Sequence, residues 1–222
     1  MSSSAVYSLE CESRVALRGV SWSLYQAIAA TRGDRSIPRL TYTGGVLELM
    51  SPSFRHETLA RRLGTLVLML CRGLGRPCLD AGSTRWEKSG VDAGKEPDAC
   101  FYLAHEPIVR GLKTVDLTIH PPPDLAIEVE LSHPLSDALR VYAALGIPEV
   151  WRSDGDSLHF LHLQDDGSYA DRDLSRSFPT LSARDALHWV LQADERDQAA
   201  WSVEVEAWAR DALSARDRMI RV

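Results

Sequence analysis

The stretch Leu125-Ala126-Ile127-Glu128-Val129-Glu130-Leu131 decides the reading of this chain. A strand places successive side chains on opposite faces, so Leu125, Ile127, Val129 and Leu131 fall on one side and Ala126, Glu128 and Glu130 on the other. Two carboxylates thus share a face at ~6 to 7 Å between their Cα atoms, where like charges repel unless they are solvated or bridged by a cation. A polar face of an antiparallel strand turned to water accounts for the pattern. A buried cation site also accounts for it. The residues that follow favour burial: a helix is predicted over 136–145, stopped by Gly146 and Pro148. A strand followed by a helical crossover lies in a sheet interior, where one face meets helices and an unpaired carboxylate is costly.

Upstream, Pro121-Pro122-Pro123 makes a stiff approach to this strand. Before it, Glu96-Pro97-Asp98-Ala99-Cys100-Phe101-Tyr102-Leu103 reads as a second strand, with Pro97 where a missing ladder N–H does least harm. Asp98 is then either a turn or cap residue or a partner for the two glutamates. Further out, the pattern predicts a helix over 21–30 and strands over 39–43 and 46–50 joined through Gly44-Gly45. A helix announced by Ser51-Pro52 follows, with Leu59, Leu63, Leu66, Val67 and Leu70 on one face and Gly73 and Gly75 at its end. After Pro148, strands over 149–152 and 158–163 turn at Asp154-Gly155, and Asp166-Gly167 leads to a third. His159 and His162 lie an odd number of residues apart on one strand and face opposite ways, which makes them a poor metal pair.

Composition narrows the class. The 222 residues are 45% hydrophobic, enough for one sizeable α/β core, and no repeat or linker divides them. Residues 1–19 are expected as an N-terminal arm, 20–182 as the α/β domain, and 183–222 as a helical extension. That extension carries Leu187, Trp189, Trp201, Val205 and Trp208, and is expected to pack on the same domain or on a partner subunit, so a homodimer is the expectation. The first twenty residues lack the apolar core of a signal peptide, and no apolar run reaches the ~18 residues of a bilayer span, which predicts a soluble, cytoplasmic protein without membrane contact. Cys11, Cys71, Cys78 and Cys100 form no CxxC pair, which points to reduced thiols rather than a zinc site. The net charge of −6 argues against holding nucleic acid by bulk electrostatics, but a carboxylate site that works through bound cations is compatible with it. Asp98, Glu128 and Glu130 together form an oxygen-ligand set suited to Mg2+ or Mn2+.

The order Pro97-Asp98, then Glu128-x-Glu130, resembles the bipartite acidic motif of the PD-(D/E)xK nucleases. The phrases EPDACFYL (96–103), PPPDLAIEVELS (121–132) and YAALGIPEVWRSDG (142–155) more closely resemble the Uma-type restriction endonuclease family. The likeness runs from Val20-Ser21-Trp22 through Glu48-Leu49-Met50-Ser51-Pro52-Ser53 and His56-Glu57 to the hairpin after Trp151. It implies a restriction-endonuclease-like mixed sheet flanked by helices, and a metal-dependent endonuclease with DNA as substrate. It also implies Asp98 and Glu128 as metal ligands beside the Val129 carbonyl; Glu130, read from the strand itself and not from the resemblance, is expected as a third metal-binding and catalytic carboxylate. His56, at a family position close to the site, is read either as ordering a catalytic water or as a capping histidine, and Glu48 ranks below it. The sequence departs from the pattern at the lysine. Glu130 stands where the superfamily has one, and Ala138, four residues before the matching Tyr142, fills the other place where relatives carry a basic residue. Arg140 points to a different side of that helix. An alternative is therefore a nuclease-fold protein that no longer cuts and serves as a nucleic-acid-binding or assembly module.

Overall fold

The computed structural model describes residues 12–33, 35–132 and 137–216. Residues 1–11 of the expected arm, Cys11 among them, the predicted helix start at 136, and 217–222 of the extension lie outside these ranges. In chain order the elements are β1 (Ser13–Arg18), α1 (Trp22–Arg32), β2 (Arg39–Thr43), β3 (Val46–Ser51), α2 (Phe54–Leu74), β4 (Leu79–Gly82), β5 (Trp86–Lys88), β6 (Ala93–Lys95) and β7 (Ala99–Tyr102). They continue with α3 (Glu106–Val109), β8 (Leu125–Val129), α4 (Ala138–Leu145), β9 (Glu149–Ser153), β10 (Leu158–Leu163), β11 (Tyr169–Arg172), α5 (Ala183–Gln192) and α6 (Gln198–Trp208).

The strands form two sheets. One has the order β11-β10-β9-β8-β7-β4 and the other β1-β3-β2-β6-β5. The six-stranded sheet is mixed, because β8 and β9 run parallel and are joined through α4, while its other pairs are antiparallel. A parallel pair needs such a crossover, so the helix predicted after the acidic strand is what makes the fold α/β. This is a mixed sheet flanked by helices, the α/β architecture that the sequence implied.

All five residues of β8 are buried. Leu125, Ile127 and Val129 pack into a core with α2, α5 and α6, whereas Ala126 packs with Val141, Tyr142 and Leu145 of α4. Both faces are covered, and the solvated-face reading of Glu128 does not hold. The helix α2 also starts later than read: Ser51 is still paired with Ser13 across β1 and β3, and the cap is Ser53, whose hydroxyl accepts from the His56 N–H at 3.2 Å. Its far end closes on Gly75 in the left-handed region.

The described part of the N-terminal arm is an edge strand, β1, paired along its length with β3. The C-terminal helices lie on α2 of the same chain. Trp201 and Val205 are fully buried there, and the Trp201 indole N–H donates to the Trp189 carbonyl at 2.9 Å. Of the residues on which the dimer expectation rested, Trp201 and Val205 are thus covered from within, while Leu187, Trp189 and Trp208 are half-buried.

Gly73 permits this docking. A Cβ built on it would lie 2.5 Å from the Glu206 carbonyl oxygen and 2.7 Å from Ala209 Cβ on the facing helical segment. Alanine favours a helix interior by ~1 kcal/mol over glycine, but a backbone collision outweighs that. Gly73→Ala is expected to lower stability by about 1 to 3 kcal/mol in equilibrium denaturation, and an unchanged or raised midpoint would show that α6 is not tightly seated.

Candidate active site

The two sheets meet where β6 gives way to β7. Only Glu96, Pro97 and Asp98 separate these strands, so Lys95 at the end of one sheet and Asp98 at the start of the other are held close together. The Asp98 N–H donates to the Ile127 carbonyl at 3.1 Å, and its carboxylate accepts the Val129 N–H at 2.6 Å. These bonds fasten Asp98 to the end of β8, where Glu128 emerges. Arg39 from β2 pairs with the other Asp98 oxygen and reaches Glu57 on α2 at 2.5 Å. Burial, and after it the charge of Glu128, push the Asp98 carboxyl above its ordinary value, while Arg39, His56 and Lys95 oppose that without cancelling it.

Glu128 is only 4% exposed. One of its oxygens lies 2.8 Å from the Lys95 ammonium and the other accepts from the Tyr142 hydroxyl at 2.6 Å. Burial and the Glu128 charge push the Tyr142 phenol well up, which keeps it a neutral donor. Lys95, 5% exposed, also donates to Thr41 Oγ1 at 3.2 Å and stands 5.6 Å from the Tyr142 ring centroid, a cation–π distance. The pairing that sets this position is Thr41 opposite Lys95 between β2 and β6.

Positions 130 and 138 carry no lysine, as read, yet an ammonium from β6 reaches Glu128, over the ring of the tyrosine that follows Ala138 by one helical turn. A short strand of Ala93-Gly94-Lys95 carries no periodic signal, and the only hint was that Lys95 stands three residues before Asp98. Gly94 serves the placement too, since a Cβ there would lie 2.3 Å from the Tyr25 hydroxyl oxygen.

His56 is fully buried, with Nε2 3.0 Å from the Val129 carbonyl oxygen and 3.4 Å from Asp98 Oδ2. A carbonyl only accepts, so Nε2 carries the proton, and Nδ1 has no partner among the described residues. His56 thus grips the backbone between the two acids. Glu12, which the sequence reading passed over, lies 3.6 Å from the same Nε2 and also binds Arg14 and Ser132. Glu48 accepts from Arg14 at 2.5 Å. Glu130 sits just past β8, its N–H bonded to the Ser153 carbonyl, and is half-buried. With Arg152, Ser153, Asp154, Ser157 and His159 it lines a separate cavity of about 240 Å³. Burial and then Glu128 push its carboxyl up, against Arg152, Lys95 and Arg14. The structure brings Asp98, Glu128 and His56 together and leaves Glu130 beside them.

A family model described as "Uma2: Putative restriction endonuclease" matches residues 22–196. The chain belongs to the Uma2 family. One similar solved structure is described as a "putative nuclease belonging to DUF820" from Anabaena variabilis ATCC 29413. It is 15% identical, with a TM-score of 0.49, over 77% of this chain and 99% of that one. No curated protein matches. Among the described residues, no three His, Cys, Asp or Glu side chains are grouped as a metal-ligand set, and no helix is long and apolar enough to cross a membrane. The donors that this Uma2 chain does present, two buried carboxylates and the Val129 carbonyl, are hard oxygen ligands of the kind magnesium and manganese take.

Proposed function

We propose that this Uma2 protein is a divalent-metal-dependent endonuclease acting on DNA phosphodiesters, with Asp98 and Glu128 holding Mg2+ or Mn2+. The observation that carries the reading is the Lys95 ammonium 2.8 Å from Glu128, beside Asp98: acid, acid and lysine stand together although the lysine comes from β6. A bound divalent ion would supply charge neutralisation at the scissile phosphate. Lys95 offsets the charge that develops on the same phosphate. His56 is a positioning residue, fixing the Val129 carbonyl and with it the direction of Glu128. Glu130, whose proton affinity is raised by burial and by Glu128, takes the proton of the attacking water from the adjacent cavity.

One observation favours a second reading, a binding or assembly module without cleavage. Every oxygen of Asp98 and Glu128 already has a partner within the chain, so metal loading requires Arg39, Lys95 or Tyr142 to yield. Plasmid cleavage in manganese, in magnesium and in a chelator, run with wild type and Asp98→Asn, separates the two. The expected result is cleavage by wild type in either metal, none in chelator, and none by the variant. Intact plasmid throughout, together with undiminished DNA retention, establishes the module.

A further inference from the structure

A second feature lies between α1 and the turn before β5. A cavity of about 480 Å³ is lined by Arg32, Arg35, Arg85, Ser36, Ser83 and Thr84, with Glu96 as its one carboxylate among the described residues. That carboxylate is already engaged: Arg32 pairs with one oxygen, and the Leu40 N–H donates to the other at 3.1 Å. Arg32 is nine-tenths buried, and its Nε has no partner among the described residues. A buried guanidinium N–H left unpaired is costly unless something supplies an acceptor. Arg85 is anchored by Glu87 at 2.8 Å and by the Ala29 carbonyl at 3.2 Å, which fixes its direction. The Arg35 guanidinium makes no hydrogen bond or ion pair with the described residues.

Beside it lies a cavity of about 500 Å³ that shares Arg32 and Arg35 but is otherwise mainly apolar, walled by Leu24, Ile28, Pro38, Leu40 and Leu49. Each volume falls within the range of small-ligand sites. An arginine-rich chamber opening beside an apolar one, with two arginines at the boundary, fits a molecule with an anionic head and a flat or apolar body. Guanidinium groups match phosphate oxygens in two-point geometry, so phosphate is the head best suited to the three arginines. Neither Lys95, Asp98, Glu128, Glu130 nor His56 lines either cavity.

We propose that these neighbouring cavities bind a phosphate monoester of the nucleotide type, its phosphate among Arg32, Arg35 and Arg85 and its base or sugar against Leu24, Ile28 and Leu49. The ligand is either a free nucleotide or the phosphorylated end of a nucleic-acid strand. The site does not depend on the cleavage reading.

Calorimetric titration of the full chain tests it with deoxyadenosine 5′-monophosphate, deoxyadenosine, and a short single-stranded oligonucleotide with either a 5′-phosphate or a 5′-hydroxyl. The monophosphate is expected to bind and the nucleoside to bind far more weakly. Arg35→Ala should weaken the monophosphate about tenfold or more, the usual scale for losing a charged hydrogen-bond partner, with Arg35→Lys intermediate. Asp98→Asn should bind it as wild type does. Preference for the 5′-phosphorylated oligonucleotide, lost in Arg35→Ala, identifies a strand end as the ligand, whereas equal binding of the two oligonucleotides identifies a free nucleotide. Absent monophosphate binding, binding indifferent to Arg35→Ala, or binding lost in Asp98→Asn overturns the proposal. The last result would place the phosphate in the candidate active site instead.

Discussion

Lys95→Ala is expected to reduce manganese-dependent DNA cleavage by two to three orders of magnitude under single-turnover conditions, and Ala138→Lys in that background to restore part of it. Preorganised charge aimed at a developing anion is commonly worth ~3 to 4 kcal/mol, which is that loss in rate. The rescue follows from the fold: Ala138 is buried one turn before Tyr142, and the Lys95 ammonium lies over the Tyr142 ring. A lysine from α4 therefore approaches the place that Lys95 leaves. In the wild-type background the same substitution would bring a second ammonium against the first, so Ala138→Lys alone should give no gain. This reverses what the sequence alone implies, because an empty position 138 looks like a deficit only while Lys95 is unseen. Cleavage by Lys95→Ala at the wild-type rate would remove the lysine from the mechanism.

The difference between what could and could not be read has a physical basis. Period-two alternation and helical spacing are local, and they located β8, α2, α4 and the β9-β10 hairpin within a few residues. The site is made by non-local pairing. Lys95 enters through the register of β2 with β6, and Glu12 through the segment leading into β1, which looked like an arm because six residues with mixed exposure carry little apolar signal. The tail shows the same limit. The apolar residues of α5 and α6 were legible, but whether they turn toward α2 or toward another subunit depends on the close approach at Gly73, which no periodicity reveals. Glu130 shares its sequence face with Glu128, as read, yet β8 ends at Val129, and the next residue opens into the neighbouring cavity.

The second large effect concerns stability without metal. Two crowded carboxylates on one strand face predict that Glu128→Gln relieves repulsion and raises stability. The structure reverses the sign. Burial, and after it the charge of Glu128, raise the Asp98 carboxyl, but Glu128 also holds the Lys95 ammonium at 2.8 Å where both side chains are almost wholly buried. Neutralising the acid removes the charge paired with the buried ammonium and leaves it neutral acceptors, an amide oxygen and Thr41 Oγ1, beside the Tyr142 ring, and breaking one side of a buried pair typically costs about 3 to 5 kcal/mol. For a domain of this size each kcal/mol moves the melting temperature by ~2 to 4 °C. Glu128→Gln in chelator should therefore melt roughly 6 to 20 °C below wild type. Lys95→Met combined with Glu128→Gln should lose less than the two single variants added together, since the double variant strands neither charge. Asp98→Asn provides the comparison, as it too leaves a buried cation, Arg39, with one partner fewer. If Glu128→Gln instead melts above wild type, carboxylate repulsion outweighs the Lys95 pair. The apo site would then be strained in the direction that a divalent cation relieves.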